Sequence, residues 1–175
     1  MGVARVDHVA TTLLTGNLLV TGGRATVGGG ALGTAEVFYP ALGPTTTGTL
    51  ADTAGALNAA RANHGAVRLY DGKVLVVGGV GAAGTPIASA EIYDPSTGQF
   101  TMTGSLSTAR SHAAIAFLLS GKVMVAGGLD AMGVPLLSTE IYDPTMGTWM
   151  AGPNMQTART GASAKVLGDG RVLIP

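Results

Sequence analysis

The sequence contains no cysteine, and this absence removes several kinds of chemistry together. Without thiols the chain forms no disulfide, no thiolate metal site and no cysteine nucleophile. The absence leaves the redox compartment of the protein open.

Charged residues are also scarce, at 11% of the 175 residues, with 10 basic and 10 acidic side chains. A chain with zero net charge has no electrostatic footprint for a phosphate backbone, so nucleic acid is not predicted as a partner. Scattered charges and an apolar fraction of 46% disfavour disorder. The apolar fraction is also ample for the core of one packed domain.

Long hydrophobic runs are missing as well. The longest uncharged apolar run is near residues 113–119, whereas a membrane helix needs about 20 such residues. The start of the chain places Arg5, Asp7 and His8 before any apolar run, unlike a signal peptide. We therefore predict no membrane partner and no signal peptide in this chain.

Glycine is abundant, with 28 residues, and much of it belongs to an internal repeat. An Ala-Arg pair opens each copy, a glycine follows eleven residues after the arginine, and the first three copies then add a glycine pair and a glutamate. The units predicted from this spacing are 4–59, 60–108, 109–157 and a half unit, 158–175. The repeated positions are Arg5, Arg61, Arg110 and Arg159, then Gly22 and Gly23, Gly78 and Gly79, Gly127 and Gly128, and finally Glu36, Glu91 and Glu140.

Within one unit the pattern predicts four short antiparallel strands. In the second unit they are 64–69, 73–77, 90–93 and 99–103, with a hairpin turn at Asp71-Gly72. After Lys73, the strand 73–77 is a continuous apolar run, which suits a strand buried on both faces. No sustained 3.6-residue period occurs, so the predicted fold class is all-β.

These residues resemble the kelch-repeat family, in the bacterial, galactose-oxidase-like group. The signatures are residues 73–79 (KVLVVGG) with Tyr93 and Phe100, residues 122–128 (KVMVAGG) with Tyr142 and Trp149, and the weaker residues 17–23 (NLLVTGG) with Phe38, where Thr45 replaces the last aromatic. The resemblance implies a β-propeller with four-stranded blades, of which this chain holds about three and a half. The first strand of each blade is expected to lie innermost.

Because propellers usually have about four to eight blades, such a chain makes an arc. An arc leaves one blade face and one strand edge uncovered. Either the chain is a fragment of a longer protein, or copies associate, for example as a homodimer.

The repeated arginines and glutamates are interpreted as structural, because a functional carboxylate is seldom needed once in every blade. We predict an Arg–Glu contact within or between blades. The glycine pairs are predicted where the backbone needs a positive φ or a close approach.

No catalytic residue, cofactor or metal site is predicted. His8, His64 and His112 recur after the repeated arginines and could ring a metal, but local hydrogen bonds to the backbone are the favoured interpretation. A copper oxidase of the galactose-oxidase kind needs a cysteine-linked tyrosine, which this chain lacks. Tyr93 and Tyr142 recur at one repeat position and are therefore interpreted as packing residues.

The connections between second and third strands remain as partner loops: 24–33, 80–88 and 129–137. Arg24 and Asp130 are their only charged residues, and the Thr-rich insertion 44–57 is predicted to be a mobile excursion.

The predicted function is a non-catalytic scaffold for protein–protein interaction or self-assembly, with the partner unidentified. The alternative is a fragment of a secreted bacterial propeller enzyme or glycan-binding protein. A secreted or cell-surface location follows from the family analogy alone.

Overall fold

The computed structural model describes residues 2–41 and 47–175, and these residues form strands and turns without a helix. The all-β prediction is therefore confirmed, and no helix in the described ranges could cross a bilayer. The strands are β1 (Val9–Thr12), β2 (Leu18–Thr21), β3 (Ala35–Tyr39), β4 (Thr49–Asp52), β5 (Arg61–Ala62), β6 (Gly65–Arg68), β7 (Val74–Val77), β8 (Val80–Gly81), β9 (Ala90–Asp94), β10 (Gln99–Thr103), β11 (Ala114–Phe117), β12 (Val123–Ala126), β13 (Thr139–Asp143), β14 (Thr148–Ala151), β15 (Lys165–Val166) and β16 (Val172–Leu173).

Three four-stranded antiparallel sheets follow one another along the chain. We call them the first blade (β1-β2-β3-β4), the second blade (β6-β7-β9-β10) and the third blade (β11-β12-β13-β14). The hairpin of β15 and β16 is the half blade. This architecture confirms the predicted kelch-type arrangement, while the bounds of the repeat units stay a prediction.

The first strands of successive blades pack side by side: β1 against β6, β6 against β11, and β11 against β15. They therefore surround the propeller axis, as predicted. Because the strands alternate in direction, turns 13–17, 69–73 and 118–122 lie at one end of the axis, which we call the turn face. Loops 24–33, 80–88 and 129–137 lie at the other end, the loop face.

A small feature that the sequence pattern does not predict links each blade to its own loop. In the second unit it is the two-residue ribbon of β5 and β8. The first and third units have single bridges at the same place, Val6 to Arg24 and Ser111 to Leu129. The residues after each repeated arginine are thereby fixed to the loop face.

The core lies between blades. Val74 and Val76 of β7 pack toward the first blade, with Leu19 and Val37. Leu75 and Val77 of the same strand pack toward the third blade, in a cluster with Leu106. Both faces of β7 are buried, as its apolar run predicts, and each such side chain contributes about 1.5–3 kcal/mol. Neighbouring blades therefore stabilise one another.

The prediction for the fourth strand of the first blade was wrong. Leu50 of β4 lies opposite Phe38, in the place that Phe100 takes opposite Tyr93. The insertion 44–57 thus contains a regular strand at Thr49–Asp52, formed because the extra residues precede the strand instead of replacing it. Thr45, which was predicted to take the place of the fourth-strand aromatic, lies outside the described residues.

Candidate functional site

Buried ion pairs occupy three of the four repeated arginine positions and all three repeated glutamate positions. Every one of these side chains belongs to a residue that is at most 7% exposed. The distances from guanidinium Nη2 to carboxylate Oε1 are 3.1 Å for Arg5 and Glu36, 2.7 Å for Arg61 and Glu91, and 2.9 Å for Arg110 and Glu140.

Each guanidinium cross-links two strands of its own blade. Arg61 Nη1 donates to the carbonyl oxygens of Gly78 at 2.9 Å and Ser89 at 3.0 Å, which flank β7 and β9. Its Nη2 also donates to Ser89 Oγ at 3.1 Å. Arg110 repeats the pattern on Gly127 and Ser138. The ion pairs therefore lie within blades.

Glu91 and Glu140 in turn bind the connection that arrives from the preceding blade. Glu91 accepts hydrogen bonds from the backbone N–H of Asn58 at 2.7 Å and of Ala59 at 3.0 Å. Burial alone would raise the pKa of Glu91, but the hydrogen bonds from Asn58, Arg61 and Ala59 outweigh it and hold the pKa below its usual value. The carboxylate stays ionised and joins two blades.

The double glycines make the reverse connection to the following unit. Gly78 and Gly79 have φ angles of 64° and 95°, and the Gly79 N–H donates to the carbonyl of Arg110 at 2.9 Å. A Cβ at Gly78 would lie 2.7 Å from that carbonyl oxygen. Both predicted reasons for glycine, positive φ and close approach, therefore hold at this position.

Arg159, the fourth repeated arginine, differs from the others. Its carbonyl accepts from Gly128 N–H at 2.8 Å, as the repeat requires. Its side chain is exposed and makes no ion pair with the residues that the structure describes. The ion-pair prediction is therefore met at three of the four arginine positions.

At the loop-face end of the axis a series of backbone hydrogen bonds joins the blades. Asn63 N–H donates to the Asp7 carbonyl at 3.0 Å, His112 N–H to that of Asn63 at 3.0 Å, and Gly161 N–H to that of His112 at 2.8 Å. The φ angles of Asp7, Asn63 and His112 are 58°, 51° and 54°. This left-handed backbone costs a non-glycine residue about 1–2 kcal/mol.

These residues line an open depression of about 240 Å³, the axial cleft, together with His8, His64 and Ala162. Asp7 and Asn63 are not among the site residues predicted from the sequence. A signal was present, since the position two residues after each repeated arginine holds Asp, Asn, His or Gly, which tolerate the left-handed region best.

The predicted histidine repeat was wrong in register. His8 and His64 come three residues after their arginines, but His112 comes two residues after Arg110, where the left-handed position lies. Ala113 takes the third unit's histidine place. The described ranges contain no group of three or more His, Cys, Asp or Glu side chains placed to hold a metal ion.

His64 and His112 contact hydroxyl groups, of Thr21 and Ser111, instead of the backbone partners predicted from the sequence. His64 Nε2 lies 2.8 Å from Thr21 Oγ1, and that hydroxyl lies 3.4 Å from the Val9 carbonyl. Burial, with the nearby charges of Arg61 and His8, lowers the pKa of His64 to about 3, and the ring is neutral at pH 7.

The matches to known proteins agree with this geometry. The model of the kelch motif matches residues 60–107 and 110–156, which is more than half of the chain. The chain belongs to the kelch-motif family. The solved structure of YjhT is similar over 94% of this chain and 57% of that chain, with a TM-score of 0.76 and 18% identity. At this identity the likeness shows the fold alone.

The kelch chain thus spans 57% of the length of YjhT. No curated protein matches it. Kelch repeats commonly mediate protein–protein interaction, so the fold supports a scaffold or binding role.

Tyr93 and Tyr142 of the kelch signatures are packing residues, as predicted, and both are buried. Tyr142 and Trp149 face each other with ring centroids 5.0 Å apart. The Tyr142 hydroxyl lies 2.6 Å from Thr103 Oγ1, and Trp149 Nε1 donates to the Gly104 carbonyl at 2.8 Å. Both contacts tie the third blade to the second.

The two charged loop residues have different surroundings. Arg24 Nε lies 3.3 Å from Asp7 Oδ2, which places Arg24 at the rim of the axial cleft. Asp130 Oδ1 accepts from the N–H groups of Met132 and Val134 at 2.9 and 2.8 Å, so it shapes its own loop. A partner-binding role for either residue stays a prediction.

Proposed function

We propose that this kelch chain is a non-catalytic interaction scaffold that binds a protein partner at the axial cleft. The observation that carries the proposal is the left-handed backbone of Asp7, Asn63 and His112. Gly161 fills the equivalent place in the half blade without strain. Strain of this kind concentrates at functional sites, which supports a use for these three side chains.

The chemistry of the cleft supports binding more than catalysis. It offers a carboxylate, an amide and imidazoles for hydrogen bonding. Asp7 is already paired with Arg24. His64 is 7% exposed, and its low pKa makes it a poor base at neutral pH.

The test replaces the strained residues with the glycine that the half blade already uses. Asn63→Gly and His112→Gly remove the side chains and relieve the backbone, so both variants should fold. A photo-crosslinking residue at Ala162, in the cleft, should capture one partner that the same residue at exposed Met102 does not. Capture from Ala162 should be lost in Asn63→Gly. Equal capture with and without the Asn63 side chain contradicts the proposal.

Self-association is a further part of the proposal. In the described ranges β16 pairs only with β15, and its Leu173 is 53% exposed. A strand with one unpaired edge and an exposed apolar side chain is suited to pairing with another chain.

A second candidate is a portion of a larger propeller enzyme or glycan-binding protein. The coverage of 57% of YjhT favours it. Binding of the chain to a glycan array, lost in Asn63→Gly, would support this candidate over a protein partner.

A further inference from the structure

A groove lies on the turn face at each of two blade junctions, at the opposite end of the axis from the axial cleft. The first groove, between the first and second blades, has a volume of about 360 Å³. The second groove, between the second and third blades, has a volume of about 460 Å³. The second groove is lined by Tyr70, Asp71, Leu119, Lys122, Asp143 and Pro144, among others.

The grooves are built from equivalent repeat positions. Leu14, Tyr70 and Leu119 each come nine residues after a repeated arginine and are 67%, 72% and 60% exposed. Tyr70 lies over Gly121 of the next unit, as Leu14 lies over Gly72. The second groove therefore has an aromatic ring where the first has a leucine.

The Tyr70 ring is held in place although most of its surface is exposed. Phe117 of the third blade packs against it at a centroid distance of 4.7 Å and an interplanar angle of 86°. The ring also lies close to the backbone of Gly121, where an added Cβ would be 3.4 Å from Tyr70 Cε2. A rigid exposed ring binds a ligand at a small cost in side-chain entropy.

One carboxylate beside this ring has no counter-charge. Lys122 Nζ lies 2.9 Å from Asp143 Oδ2, so these two charges cancel. Asp71 makes no ion pair with any residue that the structure describes. Its Oδ1 accepts from the Lys73 N–H at 3.1 Å, which fixes the carboxylate at the turn. The groove thus combines a fixed negative charge with an aromatic surface.

We propose that the second groove binds an arginine side chain of an extended partner polypeptide. A guanidinium can stack on Tyr70 and pair with Asp71, while apolar neighbours of the arginine contact Leu119 and Pro144. This site is separate from the axial cleft and does not depend on the partner proposed there.

The test uses a five-residue capped peptide with arginine flanked by two leucines, and its counterpart with neutral citrulline. Titrations followed by amide NMR should give a Kd on the order of 1 mM for the arginine peptide. The citrulline peptide should bind about two- to fivefold more weakly. Equal affinity for the two peptides, or no shift around Tyr70, overturns the proposal.

The repeat itself supplies substitutions that keep the fold. Tyr70→Leu introduces the residue of the neighbouring units, and Asp71→Ser introduces the residue found at Ser120. Each should weaken the arginine peptide about two- to fivefold. Asp130→Ser, the same change in a loop-face turn, is the matched control and should leave the affinity unchanged. An equal effect of Asp71→Ser and Asp130→Ser overturns the proposal.

A gain of binding gives a separate test. The double variant Leu14→Tyr with Thr15→Asp places a tyrosine and an aspartate at the equivalent positions of the first groove, which Asp71 also lines. Its stoichiometry should rise from one peptide to two. A stoichiometry that stays at one overturns the assignment of binding to this ring and carboxylate.

Discussion

Glu91 accepts hydrogen bonds from Asn58, Ala59 and Arg61 while its side chain is fully buried. Glu91→Ala would leave the Arg61 charge buried without its partner, at a cost of about 3–5 kcal/mol. We expect the melting temperature to fall on the order of 10 °C, as measured by circular dichroism.

The control for this variant is the exposed pair of Asp169 and Arg171, whose side chains are 51% and 79% exposed. Asp169→Ala should leave the melting temperature nearly unchanged, because water screens such a pair. Similar melting of Glu91→Ala and Asp169→Ala would contradict the structural role of the buried pair.

Because His64 is buried in its neutral form, we expect the free energy of unfolding to fall in mild acid. Its pKa is lowered to about 3 by burial and by the charges of Arg61 and His8, so below pH 6.5 the unfolded chain binds a proton that the folded chain does not. The free energy of unfolding should therefore fall by roughly 1.4 kcal/mol per pH unit from pH 6.5 toward 3. The lowered pKa of Glu91 adds a further loss below pH 4.5.

The measurement is urea denaturation between pH 7.5 and 4.5, comparing the native chain with His64→Gln. The variant should lose much of the slope between pH 6.5 and 4.5. An imidazole NMR signal of His64 that titrates near pH 6.5 in the folded protein would refute this explanation.

At the scale of the elements, a testable contact joins the end of β7, at Gly78, to Arg110 of the third unit. Gly78→Ala and Gly84→Ala both place a side chain at positive φ, of 64° and 79°. Only the Gly78 substitution meets the Arg110 carbonyl, whereas a Cβ at Gly84 has nothing within 4 Å. Gly78→Ala should therefore cost about 1–3 kcal/mol more than Gly84→Ala in chemical denaturation. Equal costs would show that φ alone matters there.

The sequence predicted these strands and junctions well because each depends on a residue type at a fixed spacing. Two-sided burial of β7 follows from an apolar run, and the buried pairs follow from arginine and glutamate repeating together. Thr45 was misassigned because an insertion hid where β4 begins. The grooves beside Tyr70 could not be predicted, since they depend on how neighbouring blades approach each other in space.

At the scale of the whole molecule, we expect copies of the 175-residue chain to associate through the β16 edge. Size-exclusion chromatography with light scattering should give a defined dimer, at twice the chain mass of 17.3 kDa. Leu173→Lys puts a charge on that edge and should give monomers. Leu14→Lys, at a similarly exposed leucine on the turn face, should leave the dimer intact. A monomeric native chain would refute edge pairing.

The contacts of Gly78 and Gly79 have a consequence for how a chain of this kind can gain repeat units in evolution. Each of the three complete units carries its own arginine and glutamate, and the second glycine of its pair donates to the carbonyl of the next unit's arginine. A tandem duplication of the segment encoding one complete unit would therefore reproduce this glycine-to-carbonyl contact at the new boundary. The number of blades can therefore change by whole repeat units while the backbone hydrogen bonds between units stay the same.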